Sequence, residues 1–234
     1  MEQQQSATTL IFKVFGKTEE EVKELLKPHN KIKRSIRVEI EAGFLECKIA
    51  LHYSSRISKA NLDEYVVAVT TELKDFLYSF EDESLDVTVA TLAQVRGAKL
   101  RTAESFTGGR IAAELTRNPG AGQIFDEGIT AYTEEAKMRR LGVADKTIRN
   151  NGVVSVETAY EMAAGLITAD NVTAVATTGY AGPDAPEGRK GECYIAVGSA
   201  EGIHIFGHRF EGDRESIVQM GVKWALWYLY KTLK

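Results

Sequence analysis

Ser105, in the run Glu104-Ser105-Phe106-Thr107-Gly108-Gly109, is the serine in this sequence whose setting could support chemistry. It follows an alternating segment, Lys99 to Ala103, that reads as a short strand, and it precedes helix formers from Arg110 to Leu115. Such a corner exposes a side chain at the carboxyl end of a strand and aims free backbone N–H groups at whatever binds there. The glycines permit dihedrals that other residues resist. Turns of this kind bind phosphate, build oxyanion holes, or only turn the chain.

A serine becomes a nucleophile only with a base beside it. The sequence has no G-x-S-x-G elbow, and none of its histidines has an evident partner. A lysine can take the part of histidine, as in Ser-Lys enzymes. Lys137 is the candidate, in the first turns of a helix that follows a strand ending at Tyr132. Spacing alone leaves it equally readable as an ordinary exposed helix lysine. Two further strand-end loops could complete a site. One is Thr177-Thr178-Gly179-Tyr180-Ala181-Gly182-Pro183-Asp184, and the other is Gly212-Asp213-Arg214, directly before a helix. An arginine and helix-end amides suit a phosphate monoester, so the three loops together point to a phosphorylated small molecule. His204 and His208 share one face of a strand but lack a third ligand nearby, which disfavours a metal site.

The elements that must position these residues change character near residue 83. Before it, Thr8 to Phe15 reads as a strand, and Thr18 with Glu21 opens a capped helix to Leu26, stopped by Pro28 and Asn30. Two alternating runs around Ala42-Gly43 form a hairpin, and an amphipathic helix runs from about Lys59 to Tyr78. This predicts a small α+β sandwich of order β-α-β-β-α over residues 1–83. From residue 84 to 234, helices and strands alternate and end in a hairpin and a long helix. That order predicts an α/β domain of three layers, α/β/α, whose mixed sheet finishes in an antiparallel pair.

Hydrophobic content of 44% and charged content of 26% are those of a globular protein, and no apolar run could span a bilayer. The polar start up to Thr9 has no signal core, and Cys47 and Cys193 lack metal-like spacing, so a cytoplasmic protein with reduced thiols is expected. The net charge of −4 lacks the basic surplus of a nucleic-acid binder. The cluster Lys31, Lys33, Arg34 and Arg37 is the local exception and reads as a solvated face.

The ordered motifs Glu104–Gly109, Tyr132–Lys137, Thr178–Asp184 and Gly212–Arg214 resemble those of the CinA C-terminal domain, the nicotinamide-nucleotide amidohydrolases. The first half is similar to the KH-type domain that precedes this module in full-length members. It has no G-x-x-G clamp, so RNA binding is not implied. The molybdopterin-binding-like domain that carries the family's pyrophosphatase activity has no counterpart here. The resemblance implies deamidation of nicotinamide mononucleotide, with Ser105 as nucleophile, Lys137 as base and Tyr132 assisting proton transfer. Amides of Thr107, Gly108 and Gly109 would hold the oxyanion, and Thr178, Gly179 and Arg214 would bind substrate. It also implies a homodimer or higher homo-oligomer, and neither metal nor cofactor. The alternative is a CinA-like nucleotide-binding or regulatory module without turnover. Phe106 stands where the family has cysteine, Glu134 where it has asparagine, and Ala185 to Cys193 rebuild a loop. Glu134 lies three residues before Lys137 and is expected to favour the ammonium, opposing its use as a base.

Overall fold

The computed structural model describes residues 8–33 and 35–234; the first seven residues of the polar start and Arg34 of the basic cluster lie outside them. The chain divides into two compact units, up to Ser84 and from Leu85. In the first, β1 (Thr8–Phe15) leads to α1 (Glu19–Leu26), a 3₁₀ turn, and the short α2 (Asn30–Lys33). Thr18 caps α1 and Glu21 returns the bond to the Thr18 backbone, which is the reciprocal pattern expected from the sequence. Pro28 and Asn30 do not end the helical path. Proline falls at the start of the 3₁₀ turn, where its missing N–H has no partner to lose. The hairpin of β2 (Arg37–Ala42) and β3 (Glu46–Tyr53) then precedes α3 (Lys59–Leu73) and β4 (Leu77–Ser79).

The strand β4 corrects the expected long helix. Phe76 and Leu77 continue the apolar spacing of α3, but the edge of β1 captures them. Val14 pairs with Leu77 and Lys13 with Ser79, and all three residues of β4 are buried. The sheet order is β2-β3-β1-β4, antiparallel throughout, over a core that includes Phe12, Val14, Ile49, Tyr65 and Val69.

The second unit opens with α4 (Leu85–Arg96), β5 (Lys99–Glu104), α5 (Arg110–Thr116) and β6 (Phe125–Thr130). It continues through α6 (Glu134–Leu141), α7 (Asp145–Asn151), α8 (Val156–Ala164) and β7 (Val172–Gly179). It closes with β8 (Glu192–Ser199), β9 (Gly202–Arg209) and α9 (Arg214–Leu233). The sheet order is β6-β5-β7-β8-β9, parallel across the first three strands and antiparallel across the last three. Helices α4, α5 and α9 pack together on one face, and α6, α7 and α8 on the other. The central strands β5, β7 and β8 are therefore largely buried, β7 with seven consecutive buried residues, while the edge strands β6 and β9 keep exposed positions. Alternation sorts the side chains between layers. Ala103, Ala174 and Ala176 join the core under α6 to α8, while Leu100, Thr102 and Glu104 of β5 face the other way. The small α7 is absent from the sequence reading, because its polar stretch Asp145–Asn151 carries only Thr147 and Ile148 as buried anchors.

Candidate active site

Ser105 is the first residue past β5 and continues its alternation on the side of α6. Lys137 lies one turn into α6, a helix capped by the Thr133 hydroxyl on the Ala136 N–H. The lysine is no exposed helix residue. Its side chain is wholly buried, and its Nζ donates to Ser105 Oγ at 2.9 Å and to the Ala131 carbonyl at 2.9 Å. The Tyr132 carbonyl lies 3.4 Å away. Burial pushes the Lys137 pKa down from 10.5 to about 8, against a smaller upward pull from the Glu134 carboxylate. The expected pull of Glu134 toward the ammonium is present, but burial outweighs it and the net shift is downward. Glu134 itself is exposed.

The neutral amine has a defined geometry here. Once it loses the proton it donates to Ser105 Oγ, the amine can keep N–H bonds to the Ala131 and Tyr132 carbonyls and turn its lone pair to that oxygen. Ser105 keeps access with 7% exposure, so the dyad is desolvated without being sealed.

The turn after Ser105 is held from beneath. Glu104, 1% exposed, accepts N–H bonds from Gly109 at 3.0 Å, Ile111 at 3.1 Å and Ala112 at 2.9 Å. Gly108 N–H goes to the Ser105 carbonyl, and Arg110 N–H to that of Thr107. The expected free amides at the start of α5 are thus occupied. Of the three proposed as oxyanion donors, only Thr107 still has an unbonded N–H among the described residues, and Phe106 joins it. Gly108 and Gly109 serve by their backbone shape, with φ of +64° and +93°.

The other expected residues separate into two groups. Tyr132 and Arg214 come together, the guanidinium Nη2 donating to the phenol oxygen at 2.7 Å. Tyr132 is 55% exposed, and Arg214 is exposed at the first turn of α9, which Asp213 caps. The pair stands at the same strand ends as the dyad, with the loop at Gly182 against Arg214 Nη1. Thr107 and Thr178 instead point inward. Thr107 Oγ1 pairs with Thr177 Oγ1 at 2.7 Å, and Thr178 Oγ1 donates to the Val153 carbonyl at 2.7 Å. Gly179 packs under Phe106 and Cys193, where a Cβ would meet Cys193 Cβ at 2.5 Å. The roles of Glu104, Thr177 and the Ala131 carbonyl escape the sequence reading. Only the parity of β5, which sends Glu104 toward α5, signals the first of them. His208 Nε2 is bonded to Tyr228 Oη at 2.8 Å, and no cluster of three metal-ligating side chains occurs among the described residues.

Residues 82–233 match the model of the CinA C-terminal domain. A competence-damage inducible protein from Caldicellulosiruptor saccharolyticus is 35% identical over 92% of this chain and 53% of its own length. A CinA-like protein from Geotalea uraniireducens is 32% identical over 96% and 55%. The chain therefore spans about half the length of such relatives. Among solved structures, a CinA-superfamily protein from Klebsiella pneumoniae superposes with a TM-score of 0.61 at 35% identity. It covers 64% of this chain and 95% of that one. With the CinA domain model matched over most of its length, and its motifs gathered at one set of strand ends, the chain belongs to the CinA family.

Proposed function

We propose that the second unit is an amidohydrolase of the Ser-Lys type, acting on the carboxamide of a nucleotide. Nicotinamide mononucleotide would give nicotinic acid mononucleotide and ammonia. The observation that carries this reading is the buried Lys137 amine, 2.9 Å from Ser105 Oγ with a pKa lowered to about 8. A general base works best with its pKa near the operating pH, and an ordinary lysine is too basic by more than two units.

Neutral Lys137 takes the Ser105 proton as Oγ attacks the amide carbon. The amide oxygen becomes an oxyanion, for which the N–H groups of Phe106 and Thr107 are the free donors. The Lys137 ammonium returns its proton to the departing nitrogen, and ammonia leaves an acyl-serine. Water, deprotonated by Lys137, attacks the ester, and Ser105 recovers its proton. The exposed Arg214 supports phosphate binding by this site, and its bond to Tyr132 Oη keeps that phenol oriented at the rim.

The test is ammonia release from nicotinamide mononucleotide by the purified chain. Ser105→Ala and Lys137→Ala are each expected to lower kcat by at least about a thousandfold. Nucleotide binding without any release would sink the amidase reading and leave a binding module.

A further inference from the structure

We propose that Glu104 is a positioning residue for the nucleophile turn, holding the amides of Phe106 and Thr107 in place to receive the oxyanion. The inference rests on the reading of Ser105 as the nucleophile. Glu104 precedes that serine directly, yet its side chain leaves β5 on the opposite face from Lys137. Buried carboxylates are ordinarily paired with a cation. Among the described residues no lysine, arginine or histidine bridges Glu104, and its three partners are all backbone N–H groups.

Those three donors determine the shape of the turn. Oε2 takes Gly109 and Ile111, and Oε1 takes Ala112, so both oxygens grip the start of α5. The residue at the N-cap position is Gly109, which has no side chain to cap with. Glu104 does that work from the strand, with the charge sign that helix N-termini favour. The chain covers the distance from β5 to α5 in five residues, two of them left-handed glycines. A carboxylate that pulls down Gly109, together with the Gly108 to Ser105 bond, presses the turn flat. Phe106 and Thr107 then keep N–H groups with no partner among the described residues. Donors immediately after a nucleophile are well placed for an oxyanion, and their value lies in being fixed beforehand.

Glutamine has one acceptor oxygen and an NH₂ that would face other N–H groups, so Glu104→Gln cannot hold all three donors. Aspartate keeps the charge but is one methylene shorter, and Glu104→Asp would move the turn rather than free it. The probe is a fluorophosphonate. Ser105 Oγ attacks its phosphorus, fluoride departs, the serine proton passes to Lys137, and the phosphoryl oxygen occupies the oxyanion position. The labelling rate and site would be measured by mass spectrometry for the full chain and for Glu104→Gln, Glu104→Asp and Ser105→Ala. A calorimetric melt of each would accompany it, with kcat and KM for nicotinamide mononucleotide.

The wild type is expected to label at Ser105. Glu104→Gln should label about 10- to 100-fold more slowly while still melting cooperatively, with kcat falling in parallel and KM within about threefold. Glu104→Asp should fall between. A merely structural glutamate would lower the melting temperature and leave the rate per folded molecule unchanged. Should Glu104→Gln fail to fold, the Asp variant decides alone. Wild-type labelling rates in the folded variants overturn the proposal while leaving Ser105 as nucleophile. No label on wild-type Ser105 overturns the nucleophile reading, and this inference with it.

Discussion

A lysine without contact with solvent carries its charge at a cost, a cost that the proposed Ser-Lys chemistry would turn to use at Lys137. Its pKa of about 8 against 10.5 in the open chain means that the unfolded protein binds more protons between those values. Stability therefore rises with pH across that window, and the destabilisation is fully present below about pH 8. The gap sets an upper bound of roughly 3 kcal/mol. Lys137→Met is expected to melt at a higher temperature than the wild type at pH 7, with the advantage shrinking as the pH approaches 10. Paired melts at both pH values check this, and an unchanged difference would show that folding does not lower the Lys137 pKa. The rate carries the same signature with the opposite benefit. Since only the neutral amine can take the Ser105 proton, kcat/KM should climb about tenfold per pH unit below pH 8 and level off above it. The two thiols should stay silent over this range. Burial raises both pKa values, that of Cys193 to about 12, so neither should react with iodoacetamide before unfolding.

At the scale of elements, Phe106 explains two glycines that would otherwise look like poor helix and strand choices. A Cβ on Gly221, in the middle of α9, would lie 2.4 Å from Phe106 Cζ and 2.6 Å from Cε2, and one on Gly179 would meet Phe106 Cδ1 at 3.0 Å. Alanine in a helix interior normally gains about 1 kcal/mol over glycine. Here the overlap reverses that, and Gly221→Ala should destabilise by about 1–3 kcal/mol. In a Phe106→Cys background the same substitution should become neutral or stabilising. Denaturant melts of the four proteins measure the coupling, and additive effects would refute the contact. The sequence reading notes Phe106 only as a departure from the family's cysteine, because a slot built from α9 and β7 has no local signature. What is legible locally is what local chemistry decides. The Thr18 capping box, the Glu134–Leu141 helix and the twice-buried β7 all stand where the residues put them. The tail of α3 and the free amides of α5 are misread because groups outside each helix compete for them, the distant strand β1 in one case and the side chain of Glu104, just upstream on β5, in the other. Burial of Lys137 falls in the same class. Helical spacing shows which face it occupies, and only the packing of α6 against the sheet shows that the face is dry.

For the whole molecule, every residue proposed for chemistry lies between Glu104 and Arg214, inside the unit that begins at Leu85. The two units also keep separate cores, one around Phe12, Ile49 and Tyr65, the other around the alanines of β5, β7 and β8 with Met162 and Ile148. A domain of about 150 residues buries roughly 68–70% of the surface its unfolded chain exposes, enough to fold alone. The solved Klebsiella relative points the same way, being matched over 95% of its length by 64% of this chain, a share that residues 85–234 could supply. We therefore expect residues 85–234, expressed alone, to melt cooperatively and to label at Ser105 with fluorophosphonate within about twofold of the full-chain rate. The first unit should act on stability or partner choice and not on the chemical step. Residues 8–84 form a four-stranded sheet with its helices and make a much smaller body, so that fragment should melt at lower denaturant with a smaller m-value. A folded 85–234 fragment with more than a tenfold loss of labelling would show that the first unit contributes to the reacting site, and would assign it a role that neither its charge nor its motifs suggest.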